Sequence, residues 1–254
     1  MALNLIMLGP PGAGKGTQAE RFARGRGLPR VSTGDILRDA VHEGTRMGGR
    51  VKEIMARGEL VSDDVMIPVV HERLEQPDAR AGFVLDGFPR TVAQAEAFDV
   101  FMAGRGPLIV VDIVVPEEEI VRRLGSRMIC ADCGANARSA EGAGALASKV
   151  VMPVGAVVAA ADVGAAINTP PESERCRRCG GRLVQRADDS DGVVLARLKV
   201  YHRQTEPLVL YYRNRPTFRS VDGAQPPDQV AAALAAAIDA AHGGATDADG
   251  GARQ

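Results

Sequence analysis

The 254-residue chain has no tryptophan, and aromatic residues make up only 4% of it. Its core must therefore be packed from Leu, Val, Ile and Ala. An excess of charge is also missing: 31 basic side chains stand against 32 acidic ones, a formal net charge of −1. That balance argues against a basic nucleic-acid binder. No stretch reaches the roughly 18 unbroken apolar residues of a membrane-crossing helix. The opening MALNLIMLGPPG has no basic leader and its apolar run ends in a glycine loop, so no export signal and a cytoplasmic location are expected. Lysine is scarce, occurring only as Lys15, Lys52, Lys149 and Lys199; the other basic residues are arginine. A lone arginine is therefore weak evidence in this chain, whereas a lysine inside a glycine loop is stronger. What is present is ordinary for a globular protein, with 45% hydrophobic and 25% charged residues. That suffices for one sizeable core, or one core with appended pieces.

Residues 3–8, LNLIML, are almost continuously apolar, as a parallel strand covered on both faces should be. A glycine-rich turn follows, then a helix over 15–23 whose Ala19, Phe22 and Ala23 can face a sheet. Residues 29–31 read as a short second strand. Ser32 and Thr33 can cap the next helix, with Asp35 placed as in a capping box. Ile36, Leu37, Ala40 and Val41 form its apolar stripe. Further helices are expected over 47–57 and 63–76. FVLDGF (83–88) and LIVVDIVV (108–115) are buried strands, each followed by a helix: one through Gln94 and Phe98, the other over 117–127. Residues 219–223 complete the strands, 228–242 form an alanine-rich helix, and the tail from Gly243 is expected to be disordered. The alternation predicts an α/β fold, a parallel sheet flanked by helices. Residues 128–186 break the rhythm and read as an inserted domain. Their apolar middle, 150–161, is a hairpin or a packed flap.

GPPGAGKGT (9–17) lies between a buried strand and a helix, the context that gives a glycine loop meaning. Backbone N–H groups and the helix N-terminus form an anion cradle there, and glycines let phosphate oxygens approach. Lys15 can reach between β- and γ-phosphates. The loop departs from GxxxxGK[ST]: Gly16 stands where a magnesium-binding hydroxyl is expected, and Thr17 follows it. The alternative is a purely structural turn.

At these residues the chain resembles the nucleoside monophosphate kinases, in which GKGT replaces GK[ST]. STGDILR (32–38), LDGFPRT (85–91) and QRADD (185–189) narrow the resemblance to adenylate kinases. It covers roughly residues 1–135 and 168–227. It implies Mg²⁺-dependent reversible phosphoryl transfer from ATP to AMP, giving two ADP, by a cytoplasmic monomer with no membrane or nucleic-acid partner. It assigns Gly12, Ala13, Gly14, Lys15, Gly16, Thr17, Arg123, Arg127 and Gln225 to ATP. It assigns Thr33, Arg38, Glu59, Leu60, Val61, Gly87, Phe88, Pro89, Arg90, Gln94, Arg186 and Arg197 to AMP. Lys15, Arg90, Arg127, Arg186, Arg197, Asp188 and Asp189 form the catalytic set. Asp86, ending a strand, matches the acid that holds magnesium through water.

Guanidinium groups suit these roles because they grip phosphate bidentately. One arginine on the transferring group can contribute roughly 10³–10⁵ in rate. For the Asp188–Asp189 pair the plain alternative is an exposed acidic turn. The resemblance divides the chain into a core (1–31, 63–125 and 190–242), an AMP-binding segment (32–62) and a lid (126–189).

The cysteines fall as Cys130/Cys133 and Cys176/Cys179, in CADCG and CRRCGG. Two such knuckles supply four thiolates, which suits a closed, structural, tetrahedral zinc site. Without an export signal, metal is favoured over disulfide. A redox dithiol is the rival, and iron is the rival metal. The spacer between the pairs is long for a compact ribbon, which marks 137–167 as an insertion. Two other functions stay open. One is the same reaction on UMP or CMP. The other is a zinc-ribbon binding module that uses nucleotide as a switch, for which the basic RCRRCGGR (175–182) speaks.

Overall fold

The computed structural model describes residues 2–133, 175–176, 178–185 and 191–250. The chain divides into two compact units, Met1–Gly125 with Ala187–Gln254, and Ser126–Arg186.

The larger unit carries a five-stranded parallel sheet. In chain order its strands are β1 (Leu3–Leu8), β2 (Arg30–Ser32), β3 (Gly82–Asp86), β4 (Leu108–Val114) and β7 (Phe218–Asp222). Across the sheet the order is β2-β3-β1-β4-β7. Strands β1 and β3 are buried at every residue, which explains their unbroken apolar sequence. Alternate side chains feed opposite faces. Leu5 and Met7 of β1 join Val84, Ile109 and Val111 in one core, whereas Ile6 and Leu8 join Leu85 and Val110 in the other.

The first face is covered by α1 (Lys15–Arg26), through Ala19, Phe22 and Ala23, and by α9 (Pro227–Gly250), through Val230, Leu234 and Ile238. The second is covered by α4 (Asp63–Leu74) and α5 (Val92–Met102), through Val70, Ala95 and Phe98. The chain leaves β1 towards β2 and leaves β3 towards β4 on the other side of β1. The carboxyl ends of β1 and β3 therefore flank a topological switch point, where open α/β sheets bind ligands.

Two helices between β2 and α4 carry the acceptor-side motifs: α2 (Thr33–His42) and α3 (Arg46–Ala56). The expected cap forms, with Ser32 Oγ accepting from the Asp35 N–H. Thr45 caps α3 the same way, accepting from Gly48. Helices α2 and α3 pack closely at Gly48, where any Cβ would collide with the Ala40 carbonyl.

After β4 comes α6 (Glu117–Gly125), two residues shorter than expected. Between the units' boundary and β7 lie α7 (Asp191–Val200), a π-helical turn (Tyr201–Thr205) and α8 (Pro207–Tyr212), which the sequence reading left unassigned. The alanine-rich helix expected over 228–242 is longer, with α9 running from Pro227 to Gly250. A helix already nucleated over its packed alanine-rich face extends by one bond per added residue, so Gly243 and Gly244 weaken it without ending it.

In the smaller unit β5 (Met128–Cys130) and β6 (Leu183–Gln185) pair antiparallel, with Met128 opposite Gln185. The 137–167 insertion, with its 150–161 stretch, lies outside the described residues.

Candidate functional site

The loop after β1 is shaped by positive-φ glycines at Gly9, Gly12 and Gly14. At Gly9 a Cβ would meet the Ile113 carbonyl at 2.6 Å, so only glycine lets the loop turn this close to β4. Gly14 is the N-cap of α1 and has no side chain to close the helix end. The first N–H groups of α1 thus face the loop as anion donors. Lys15 Nζ lies over the loop, donating to the Gly9 and Pro10 carbonyls at 2.6 and 2.7 Å. Ala13 is buried and Thr17 is exposed. Gly16 faces the end of β3, and a Cβ there would stand 3.2 Å from Asp86 Oδ2.

On the other side of the switch point Thr33, Gly87 and Arg90 converge. Thr33 Oγ1 and Arg90 Nε both donate to the Gly87 carbonyl at 2.8 Å. Gly87 itself has φ +85°, and a Cβ on it would lie 2.8 Å from Thr33 Oγ1 and 2.9 Å from Arg90 Nη2. The Phe88–Pro89 peptide is cis and Phe88 is buried. Gln94, expected to face a base, is also part of the frame. Its Oε1 accepts the Arg90 N–H at 2.7 Å, and its Nε2 donates to Asp63 Oδ1 at 2.7 Å. One amide N–H of Gln94 remains outside these two bonds. Thr91 Oγ1 donates to Asp63 Oδ2 at 3.0 Å, so Asp63 clamps the start of α5.

Arg38, on α2, is ion-paired with Asp35. Asp35 also meets Arg30 Nη2 at 2.9 Å, and the same nitrogen donates to Asp86 Oδ2 at 3.0 Å. Burial works against charge on Asp35, but Arg38, Arg30 and the Ser32 hydroxyl hold its carboxyl below the usual range. Glu59 is exposed and paired bidentately with Arg57 at 3.0 Å, while Val61 is buried in the second core. Leu60 is half-buried. Arg197 of α7 approaches this segment: a Cβ on Gly58 would stand 2.7 Å from Arg197 Cγ. Arg123 donates to Glu119 at 2.7 Å and to the Gly223 carbonyl at 2.9 Å, beside the turn that holds Gln225. Gln225 donates to Asp222 at 3.2 Å.

In the smaller unit the four thiols come together, all Sγ atoms lying within 4.8 Å of one another. Cys130 and Cys179 are 3.4 Å apart, and Cys133 and Cys176 are 3.7 Å apart. Ligands about 2.3 Å from a tetrahedral zinc lie about 3.8 Å from each other, so the group fits a Cys₄ metal centre. Its electrostatics fit as well. Backbone N–H groups of Arg178 and Cys179 lower the Cys176 thiol to about 7. Cys179, despite an N–H from Gly181, is pushed up to about 12 by the Cys133 and Cys130 thiols. Sulfurs this crowded resist ionising together unless a cation lies among them. A Cβ at Gly181 would displace the Asp132 carboxylate and lie 2.8 Å from Cys130 Sγ, so glycine there leaves the sulfur uncrowded.

The family model described as adenylate kinase matches residues 7–217. The chain belongs to the adenylate kinase family. It is 46% identical over 224 residues to the adenylate kinase of Archaeoglobus fulgidus, covering 87% of this chain and 91% of that one. It is 42% identical over 238 residues to that of Moorella thermoacetica, covering 93% and 98%. With the adenylate kinase of Geobacter sp. strain M21 it shares 43% over 240 residues, covering 93% and 99%. The protein is accordingly a phosphotransferase that moves a phosphoryl group reversibly between ATP and AMP to give two ADP. No helix among the described residues is long and apolar enough to cross a membrane.

Of the residues expected at an adenylate kinase site, the structure brings together Thr33, Gly87, Arg90 and Gln94, and separately the loop, Lys15 and Asp86. Arg127 belongs to the smaller unit. Arg186, Asp188 and Asp189 lie outside the described residues. Sequence reasoning missed Arg30, Asp63 and Asp112. Asp112 is 7% exposed, and burial raises its carboxyl against the pull of Lys15. An acid inside LIVVDIVV was the available signal. Arg30 gave none, because arginine is the default base of this chain.

Proposed function

We propose that the reaction is carried by two facing anion sites at the switch point of the sheet. The loop at Gly12 to Thr17, with Lys15, takes the ATP phosphates, and Arg123 and Gln225 border its nucleoside. Thr33, Arg38, Arg90 and Gln94 hold AMP, with residues 32–62 as the acceptor segment. The single observation that carries this reading is the convergence of Thr33 and Arg90 on Gly87, one residue beyond Asp86 and across the switch point from Lys15.

Asp86 suits magnesium: its side chain is 12% exposed, it offers hard carboxylate oxygens, and Gly16 carries no side chain to crowd Oδ2, from which a Cβ would stand 3.2 Å. When bound, magnesium would neutralise phosphate charge. The chain's own residues orient the rest. Arg90 is held in place through its N–H and Nε, and a guanidinium positioned there suits a bidentate grip on the acceptor phosphate. Arg127, Arg186 and Arg197 neutralise charge on the phosphoryl group in transfer, with Asp188 and Asp189 holding arginines. Residues 126–189 act as a lid that excludes water, the competing acceptor. No general base is required, since the attacking phosphate is ionised near pH 7. Zinc in the Cys₄ centre would staple a lid with little core of its own. The enzyme works as a cytoplasmic monomer.

Transfer from Mg·ATP to AMP, GMP, CMP and UMP tests the acceptor assignment. Clear preference for AMP is expected, with kcat/KM for AMP falling at least about 10²-fold in Arg90→Gln. Preference for a pyrimidine monophosphate would overturn the acceptor assignment and leave the phosphate loop reading intact.

A further inference from the structure

Arg30 opens β2 and stands between the two halves of the site. Its side chain is 21% exposed, and it touches three carboxylates: Asp86 at 3.0 Å, Asp35 at 2.9 Å and Glu20 at 3.7 Å. The first two contacts use the same nitrogen, Nη2. A guanidinium usually grips a carboxylate through two parallel N–H groups. Arg30 grips neither carboxylate that way, and its Nε is buried with no hydrogen-bond partner. The group is thus poised between two better-satisfied arrangements, one bidentate on Asp86 and one bidentate on Asp35.

These arrangements are not independent of the acceptor side. Asp35 has two oxygens. Oδ2 takes Arg30 and Oδ1 takes Arg38. A bidentate Arg30 also draws on Oδ1, and so competes with Arg38 for it and loosens its hold. The sequence Asp86–Arg30–Asp35–Arg38 is therefore a chain of alternating charges in which each shift displaces the next. Gly16 belongs to it, because a Cβ there would lie 3.4 Å from Arg30 Nη2 and crowd the space before Asp86.

We infer that Arg30 is a shared counter-ion coupling the two sites: when Asp86 is engaged by the metal of Mg·ATP, Arg30 passes to Asp35 and Arg38 is released to the acceptor phosphate. The coupling runs both ways, as linkage requires. An AMP phosphate that draws Arg38 from Asp35 leaves Asp35 to Arg30 and frees Asp86 for the metal. Arg30 is a positioning residue, since it acts through Asp86 and Arg38 rather than on a nucleotide. The inference rests on the proposed roles of Asp86 and Arg38.

The test is calorimetric titration of AMP into the full chain saturated with a β,γ-imido ATP analogue, which cannot transfer its phosphoryl group. One arm contains Mg²⁺ and the other a chelator of Mg²⁺. In the wild type, AMP is expected to bind at least about five-fold tighter with Mg²⁺, the low end of measured coupling between sites. In Arg30→Gln the two arms should agree within about two-fold. Arg30→Lys, which keeps the charge but lacks the planar fork needed to grip a carboxylate bidentately, serves as a second variant whose coupling should also fall. Equal coupling in wild type and both variants, or none in the wild type, would overturn the inference while AMP binding upholds the acceptor site. If AMP binds Arg38→Gln as tightly as wild type, the assignment of Arg38 fails and the inference falls with it.

Discussion

Replacing Gly87 by alanine should damage the acceptor side in a way that can be separated from its backbone cost. Gly87 has φ +85°, and Gly104, just past α5, has φ +77°. Both substitutions force an L-residue into the left-handed region, at about 1–2 kcal/mol. Both also stiffen the unfolded chain, which returns about 0.4–1 kcal/mol. They differ in what the new methyl meets. Nothing lies within 4 Å of a Cβ at Gly104, whereas at Gly87 it stands 2.8 Å from Thr33 Oγ1 and 2.9 Å from Arg90 Nη2. One or both side chains must move, straining two hydrogen bonds that meet at the Gly87 carbonyl. A neutral bond contributes about 1 kcal/mol and a charged one about 1.5–3 kcal/mol. Gly104→Ala should therefore lose about 0.5–1 kcal/mol and Gly87→Ala about 2–4 kcal/mol. At roughly 2–4 °C per kcal/mol for a chain of this size, the second variant should melt roughly 4–16 °C lower. In kinetics, a shift of Arg90 by about 1 Å should reduce kcat/KM for AMP by up to about 10²-fold. The KM for ATP should hold. Thermal melts and initial rates on both variants decide the matter. If Gly87→Ala matches Gly104→Ala in melting temperature and in kcat/KM for AMP, the crowding argument is wrong.

Two further outcomes are expected. Metal analysis should find about one thiophilic ion per chain, and a strong chelator should release it with four newly titratable thiols and a lower melting temperature; four reactive thiols before chelation would refute the Cys₄ centre. Asp99 should make stability fall in acid. Burial opposes its charge, but Arg215 and the Tyr211 hydroxyl hold its carboxyl below the ordinary range. Below the unfolded pKa of about 4 the unfolded chain binds the proton first, so this contribution is full above about pH 4 and lost as pH falls through the folded value. Asp99→Asn should flatten the fall in stability between about pH 5 and 3, and an unchanged slope would contradict the assignment.

The sequence alone determined what burial and local hydrogen bonding encode. LNLIML and LIVVDIVV read as strands because both faces of a parallel sheet are covered, and polar residues would be stranded there. The Ser32 cap was legible because its partner, Asp35, is three residues away. The phosphate loop was legible because one turn of chain holds strand end, glycines, lysine and helix start together. The Cys-x-x-Cys pairs likewise announce themselves by spacing.

Only the tertiary structure decided which distant side chains share a partner. Sheet order sets β2 beside β3, and that alone brings Arg30 to Asp86 across 56 residues of chain. No periodicity distinguishes Arg30 from the other arginines. Gln94 read only as a side chain for a ligand, and packing makes it also the strut that fixes Arg90. Asp63 and Thr205, which brace that same segment, come from elements far apart in sequence. The length of α9 was not legible because composition weighs each glycine by itself, whereas a helix packed along β7 and α1 carries its own end forward. Sequence pattern records the face each residue shows to the core, and the arrangement of the strands fixes which charges must then share one another.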